Sequence, residues 1–340
     1  MAAATFDARG EAVGDIAVVA DRLAALLGRS GGVVGGTGHA GLVAEATVDL
    51  ERLGEGLPRA DVWAIDGGQA TVVDGRCLSV VVVRASRARW REGVCTLEEE
   101  GTLRAHLLGG DEDHAAAAQL PSGLSLGQDT PVDVNLLRDA GEWELLGRTV
   151  EEALPGGLVL VDGDLQPDWR IPGAWAGRFL DRAAERGVVV AGVTKHSGLS
   201  RGGAPLIGQL ELEAEAVLGR RARWWARVAS TAEEVCPALV VTVARLDPVA
   251  RFAFRIDLPA TLPAGVGVAE AVGMVAAVAN DAAFPGYPYP LAVADRLAAC
   301  PSWVQEEARL ALDEHLDRAG VDLERRERCF ADRHRLMERV

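Results

Sequence analysis

The chain has 340 residues, 49% of them hydrophobic, and a formal net charge of −15. That is enough apolar material for one large domain or two ordinary ones, while the acidic balance excludes a general nucleic-acid coat protein. No apolar run reaches the roughly 18 residues that span a bilayer, no basic-then-apolar leader is visible, and five scattered cysteines without a CxxC pair exclude a disulfide framework or zinc–thiolate site, so a cytoplasmic protein with no membrane contact is expected.

Residues 1–58 read as a helical segment, with apolar stretches at Ile16–Leu27 and Ala40–Leu53 split by a glycine-rich connector, Gly31 to Gly38. GGVVGGTGHA lacks the Lys-Ser/Thr ending of a phosphate-binding loop. The pattern then changes. Val62–Asp66 and Cys77–Ala85 predict consecutive antiparallel strands, separated by the turn signals Asp66-Gly67-Gly68 and Asp74-Gly75, with a third strand near Arg91–Glu99. Residues 107–131 are polar and irregular and read as an insertion. Val134–Leu154 predicts a helix with Leu136, Ala140, Trp143, Val150 and Leu154 on one face, ended by Pro155-Gly156-Gly157. Leu158–Val161 is an apolar strand, Trp175–Arg186 a helix and Val188–Thr194 another strand, a rhythm that implies parallel pairing. Strands at Arg221–Ser230, Ala238–Leu246 and Phe252–Leu258 follow, then helices near Val266–Asn280, Leu291–Ala299, Trp303–Ala319 and Leu323–Glu338.

Two aspartates end apolar runs and precede glycine: Asp66 in VWAIDGGQ and Asp162 in LVLVDGDLQ. Such a position leaves a carboxylate at a sheet rim with room beside it. Hard cations prefer carboxylate oxygens, and shared carboxylates holding metals are a route to phosphodiester cleavage. Asp-Gly is also a common turn, so each motif alone is ambiguous, and two together carry more weight. A third carboxylate is expected from the preceding helix, where Glu142 and Glu144 both flank the apolar face and periodicity does not choose between them.

The order AIDGG, LLRDAGEWEL, LVLVDGDL, VVVAGVTKHS, FRIDLP and NDAAFPGYPYPLAVAD, over about residues 60–300, resembles the NurA family of nucleases. The resemblance implies an α/β fold, a ribonuclease-H-like mixed sheet with flanking helices and helical N- and C-terminal additions. The corresponding divisions are the 1–58 segment, a 59–300 nuclease domain and 301–340 helices packed on that domain. It further implies a Mn²⁺-dependent (or Mg²⁺-dependent) DNA nuclease, with 5′–3′ exonuclease and single-strand endonuclease activity in DNA end resection, working as a homodimer beside a HerA-type hexameric ATPase. Position by position it points to Asp66, Glu142 (in R-x-x-x-E with Arg138, Glu144 being the alternative) and Asp162 as metal ligands, and to Tyr287 in the GYP segment. Asp295 stands where some family members carry a histidine; an aspartate suits a metal but not near-neutral proton transfer. The first motif reads DGG where the family often has DGS.

Lys195, after an apolar strand, is a candidate for neutralising a phosphate, whereas His196 reads as a surface histidine. Arg221, Arg223 and Arg227 with Trp225 alternate on a predicted strand and form a candidate nucleic-acid face. Arg87, Arg89 and Arg91 alternate likewise, as a solvated edge or a second such face. Two other functions fit parts of the chain. Asp162-Gly163-Asp164 resembles the start of haloacid-dehalogenase-like phosphatases, although Gln166 replaces the usual threonine and Asp66 goes unused. A NurA-like subunit with weak catalysis that regulates an ATPase is the second.

Overall fold

The structure is a computed structural model and describes residues 16–28, 34–36, 41–56, 59–127 and 130–331. In chain order it comprises α1 (residues 16–27), β1 (Val34–Gly36), β2 (Leu42–Ala44), β3 (Glu51–Arg52), β4 (Asp61–Asp74), β5 (Ser79–Arg91), β6 (Val94–Glu99), β7 (Arg104–Leu108), α2 (Glu112–Ala117), α3 (Val134–Glu152), β8 (Leu158–Asp162), α4 (Gly173–Glu185) and β9 (Val189–Thr194). There follow β10 (Leu199–Arg201), β11 (Ala204–Pro205), α5 (Leu206–Leu218), β12 (Trp224–Thr231), β13 (Leu239–Arg245), β14 (Phe254–Pro259), α6 (Val268–Ala276), α7 (Tyr289–Ala298), α8 (Ser302–Arg318) and α9 (Leu323–Phe330).

One 11-stranded sheet runs β2-β12-β13-β14-β9-β8-β4-β5-β6, with β3 also on β12 and β7 also on β5. Its centre is parallel, β4 with β8 and β8 with β9, and the pairings outside it are antiparallel. The parallel strands are apolar on both faces, as helices on both sides require. On one face Trp63, Ile65, Val159, Val161 and Val190 pack against α3 and α4. On the other, Val62, Ala64, Leu160, Ala191 and Ile256 pack against α6 and α7. A third core gathers α5 against Trp224, Val228 and Val241. This is the ribonuclease-H-like mixed α/β architecture expected from the sequence. Among the described residues no helix is long and apolar enough to cross a membrane.

Four local expectations change. Leu42–Ala44 and Glu51–Arg52 are strands, because the free edge of β12 offers backbone partners that a helix at Ala40–Leu53 would forgo. Only Val34–Gly36 of the glycine-rich connector is described, as a strand on β10. Asp66-Gly67-Gly68 makes no turn: β4 continues through it, pairing Asp66 with Ser86 and Gly68 with Arg84, and the hairpin closes beyond Asp74. Within 107–131, β7 and α2 are ordered elements. The predicted last helix is described as far as Phe330, and residues 332–340 lie outside the described residues.

Candidate metal centre

Register brings the two motif aspartates together. The β4–β8 pairing ends at Ile65 opposite Val161, so Asp66 and Asp162 occupy the next position on adjacent strands, a spacing of about 4.8 Å. Alternation puts both on the face shared with Ala64 and Leu160, beneath α7. Immediately past Asp162 the chain must leave the sheet, and Gly163 does so at φ +126, a conformation side chains rarely adopt. Its N–H donates to the carbonyl of Val193 at 3.0 Å, which pins the strand end.

Asp295 reaches this point from α7. Each of Asp66, Asp162 and Asp295 offers a carboxylate oxygen, and these atoms all lie within 4.8 Å of one another. Lys195, just past β9, sets its Nζ 2.7 Å from Asp162 Oδ2 and 3.0 Å from Asp295 Oδ1. The buried Tyr287 donates its hydroxyl to Asp162 Oδ2 at 2.9 Å, its ring packing 5.5 Å from that of Phe254. The first of the two motif glycines opens one face of β4: a Cβ on Gly67 would sit 2.0 Å from Glu142 Oε1. The second opens the other, where a Cβ on Gly68 would sit 1.8 Å from the carbonyl oxygen of Ala298 at the end of α7. Glu142 thus packs directly behind the centre, across Gly67, with Arg138 Nε 3.2 Å from its Oε1. It is not one of the three clustered ligands. Glu144 is turned away toward Arg104, 4.0 Å off, which separates two glutamates that periodicity leaves equivalent.

Negative charge outweighs positive here. Burial, then the charges of Asp162 and Asp295, push Asp66 up to about 7, against the Gly67 N–H and Lys195. Burial likewise drives Glu142 well above the usual carboxylate range, opposed by Arg138 and reinforced by Asp139, Asp66 and Asp162. Burial also raises the Tyr287 phenol, with Asp162 adding to it, so the hydroxyl stays a donor. For Lys195, burial lowers the ammonium's pKa, but bonds and charge from Asp162 and Asp295 win and raise it. An all-oxygen donor set with excess negative charge suits a hard divalent cation.

The fold that carries these residues was compared with known structures. The crystal structure of the NurA nuclease from Sulfolobus solfataricus matches 79% of this chain and 88% of its own, with a TM-score of 0.57 and 16% identity. The chain has a NurA-like fold. The catalytic domain of human Endonuclease V matches 78% of this chain and 85% of its own at a TM-score of 0.38 and 14% identity. Ciona intestinalis Endonuclease V in complex with DNA matches 74% and 87% at a TM-score of 0.38 and 11% identity. No protein-family model matches the sequence, and no curated protein does.

On this NurA-like fold the other candidate residues fall elsewhere. Asp164 accepts from the N–H of Gln166 and lies 3.7 Å from Arg255. It braces the loop after Asp162 rather than joining the carboxylate cluster, as a phosphatase reading would need. Trp225 is buried in the core, which removes it from stacking, and Arg227 pairs with Glu45 at 2.5 Å. Arg221 is exposed and Arg223 partly so, just ahead of β12. Arg87 binds Glu99 and Glu152, and Arg89 binds Asp61, so that face is structural. His196 is exposed. One supporting pair was missed: fully buried Arg255 and Asp257, 2.7 Å apart, with Asp257 also accepting from the N–H of Leu165. The alternation in Phe254–Pro259 puts both on one face, and that was its only signal.

Proposed function

We propose that this chain is a metal-dependent DNA nuclease of NurA type. The observation that carries the reading is the convergence of Asp66, Asp162 and Asp295, from a strand, a strand end and a helix, to within 4.8 Å on a NurA-like fold. These three would hold Mn²⁺ or Mg²⁺, with Glu142 as a further carboxylate beside them. Bound there, the ion supplies water activation and stabilisation of the leaving oxygen in phosphodiester hydrolysis.

The chain's own groups divide the remaining work. Tyr287 fixes the orientation of the Asp162 carboxylate through its hydroxyl. Lys195 neutralises Asp162 and Asp295; once its ammonium is released from them, it is free to meet the charge that develops on a scissile phosphate. The Arg255–Asp257 pair steadies the loop that leaves Asp162. We extend the reading to a 5′–3′ exonuclease and single-strand endonuclease acting in end resection in the cytoplasm, as a homodimer beside a HerA-like ATPase.

The test is cleavage of end-labelled single-stranded and duplex DNA by the purified full chain, with Mn²⁺, Mg²⁺ or EDTA. Cleavage that requires a divalent ion and disappears in Asp66→Ala and Asp162→Ala, both still folded, supports the assignment. Undiminished cleavage in either variant refutes it.

A further inference from the structure

Two loops at the same end of the sheet as the carboxylate centre expose aromatic rings. One loop, residues 246–253, joins β13 to β14; the other, residues 277–288, joins α6 to α7 and carries Tyr287. Phe252 is 55% exposed and Phe284 is 64% exposed. Exposing two phenylalanines costs solvation, yet both loops are firmly held. Arg245 donates to the carbonyls of Pro248 and Ala250 at 3.3 and 2.7 Å. The N–H of Gly286 donates to Ala279 at 2.7 Å, and that of Tyr287 to Phe284 at 3.1 Å. The loops touch: Gly286 has φ +91, and a Cβ on it would lie 2.5 Å from that of Ala250. The second loop ends in the tyrosine whose hydroxyl contacts Asp162.

Charge marks the same rim. The guanidinium of Arg251 lies 5.1 Å over the Phe252 ring and makes no ion pair with a described residue. Arg221 and Arg223 also lack one among the described residues, and register puts them at this end of the sheet, since Trp224 faces Arg245 across β12 and β13. Most arginines elsewhere on this acidic chain face carboxylates, as Arg87, Arg89, Arg170 and Arg182 do. Cations without carboxylate partners at the sheet end that carries exposed rings match a strand with phosphates on one side and bare bases on the other.

We propose that Phe252 and Phe284 form a stacking edge for unpaired bases, a contact surface outside the carboxylate centre, with Arg251, Arg221 and Arg223 following the phosphates. This rests on the nuclease reading and assigns the surface that would grip the strand beside its centre. Stacked bases in duplex DNA offer no free face to such an edge, so selectivity follows from the rings themselves.

The test uses the full chain with Ca²⁺ to neutralise the carboxylates, a fluorescent single-stranded oligonucleotide, the same length with abasic sites, and one carrying 2-aminopurine. The expected result is 2-aminopurine quenching on binding, and affinity for the base-bearing strand lowered about 5- to 100-fold by Phe252→Ala or Phe284→Ala. Phe→Trp should restore it, and affinity for the abasic strand should not change. Equal losses on abasic and normal strands would overturn the proposal. So would unchanged DNA affinity accompanied by a changed oligomeric state, which would make this edge a protein interface. Metal-dependent cleavage is read separately, so a chain that cleaves while its phenylalanine variants bind normally sinks the stacking edge alone.

Discussion

Asp66 supplies a prediction whose sign is unusual for a carboxylate. Its pKa rises from 3.8 to about 7 in the folded protein, chiefly by burial and then by the charge of Asp162. Without divalent ions, the native state therefore keeps a proton that the unfolded chain releases above pH 4. Stability falls as pH climbs through that window and levels off above about 7. A shift of this size corresponds to about 4 kcal/mol, an upper figure because the group is only half-buried. Depressed carboxylates such as Asp133 and Asp168, bound to Arg170, have the opposite slope, so the wild type alone does not isolate the effect. Comparison with Asp66→Asn does. In EDTA the two proteins should match near pH 4, and the variant should be the more stable at pH 8, by up to about 4 kcal/mol in urea denaturation. Adding Mn²⁺ should close most of that gap at pH 8, since an ion at about 100 times its Kd adds about 3 kcal/mol to the protein that binds it. A variant no more stable than wild type at pH 8 in EDTA would refute the electrostatic account of the centre.

Other perturbations probe the parts around it. Gly67→Ala should displace the Glu142 carboxylate, given a Cβ position 2.0 Å from Oε1, and lower cleavage of labelled DNA at a stability cost of about 1–3 kcal/mol. Restoration of activity by Gly67→Ala combined with Glu142→Asp would locate the clash. Tyr287→Phe keeps the ring packing and loses one bond to Asp162; kcat should fall about tenfold or less with a stability change near 1 kcal/mol, measured by steady-state cleavage and thermal melting. Arg255→Met leaves buried Asp257 without its cation, with only the Leu165 N–H beside it, and should cost about 3–5 kcal/mol, much of it recovered by adding Asp257→Leu, as read by urea denaturation.

Much of this was legible in residue order. Apolar runs before Asp66 and Asp162 located two central strands, and the strand–helix–strand rhythm gave the parallel pairing of β8 with β9. What periodicity could not supply was tertiary choice. Glu142 and Glu144 flank the same helix face almost equally, and only the space left by Gly67 decides which one meets the strand. Leu42–Ala44 became a strand because β12 had a free edge, a fact nowhere in the local sequence. Trp225 shares an alternating pattern with three arginines, but it is buried in the core while Arg227 remains exposed. The DGG motif looked like a turn and is instead a strand that two partners approach closely, Glu142 at Gly67 and the end of α7 at Gly68. That contact also accounts for glycine, rather than serine, at position 68.

The most direct test of the central claim is Mn²⁺ binding by calorimetry on the full chain, wild type against Asp162→Ala. The wild type should show a saturable carboxylate-dependent site, with affinity rising as pH passes through about 7 and Asp66 gives up its proton, and the variant should show no such site. Equal binding by both proteins, or none by the wild type at any pH from 6 to 9, would contradict it.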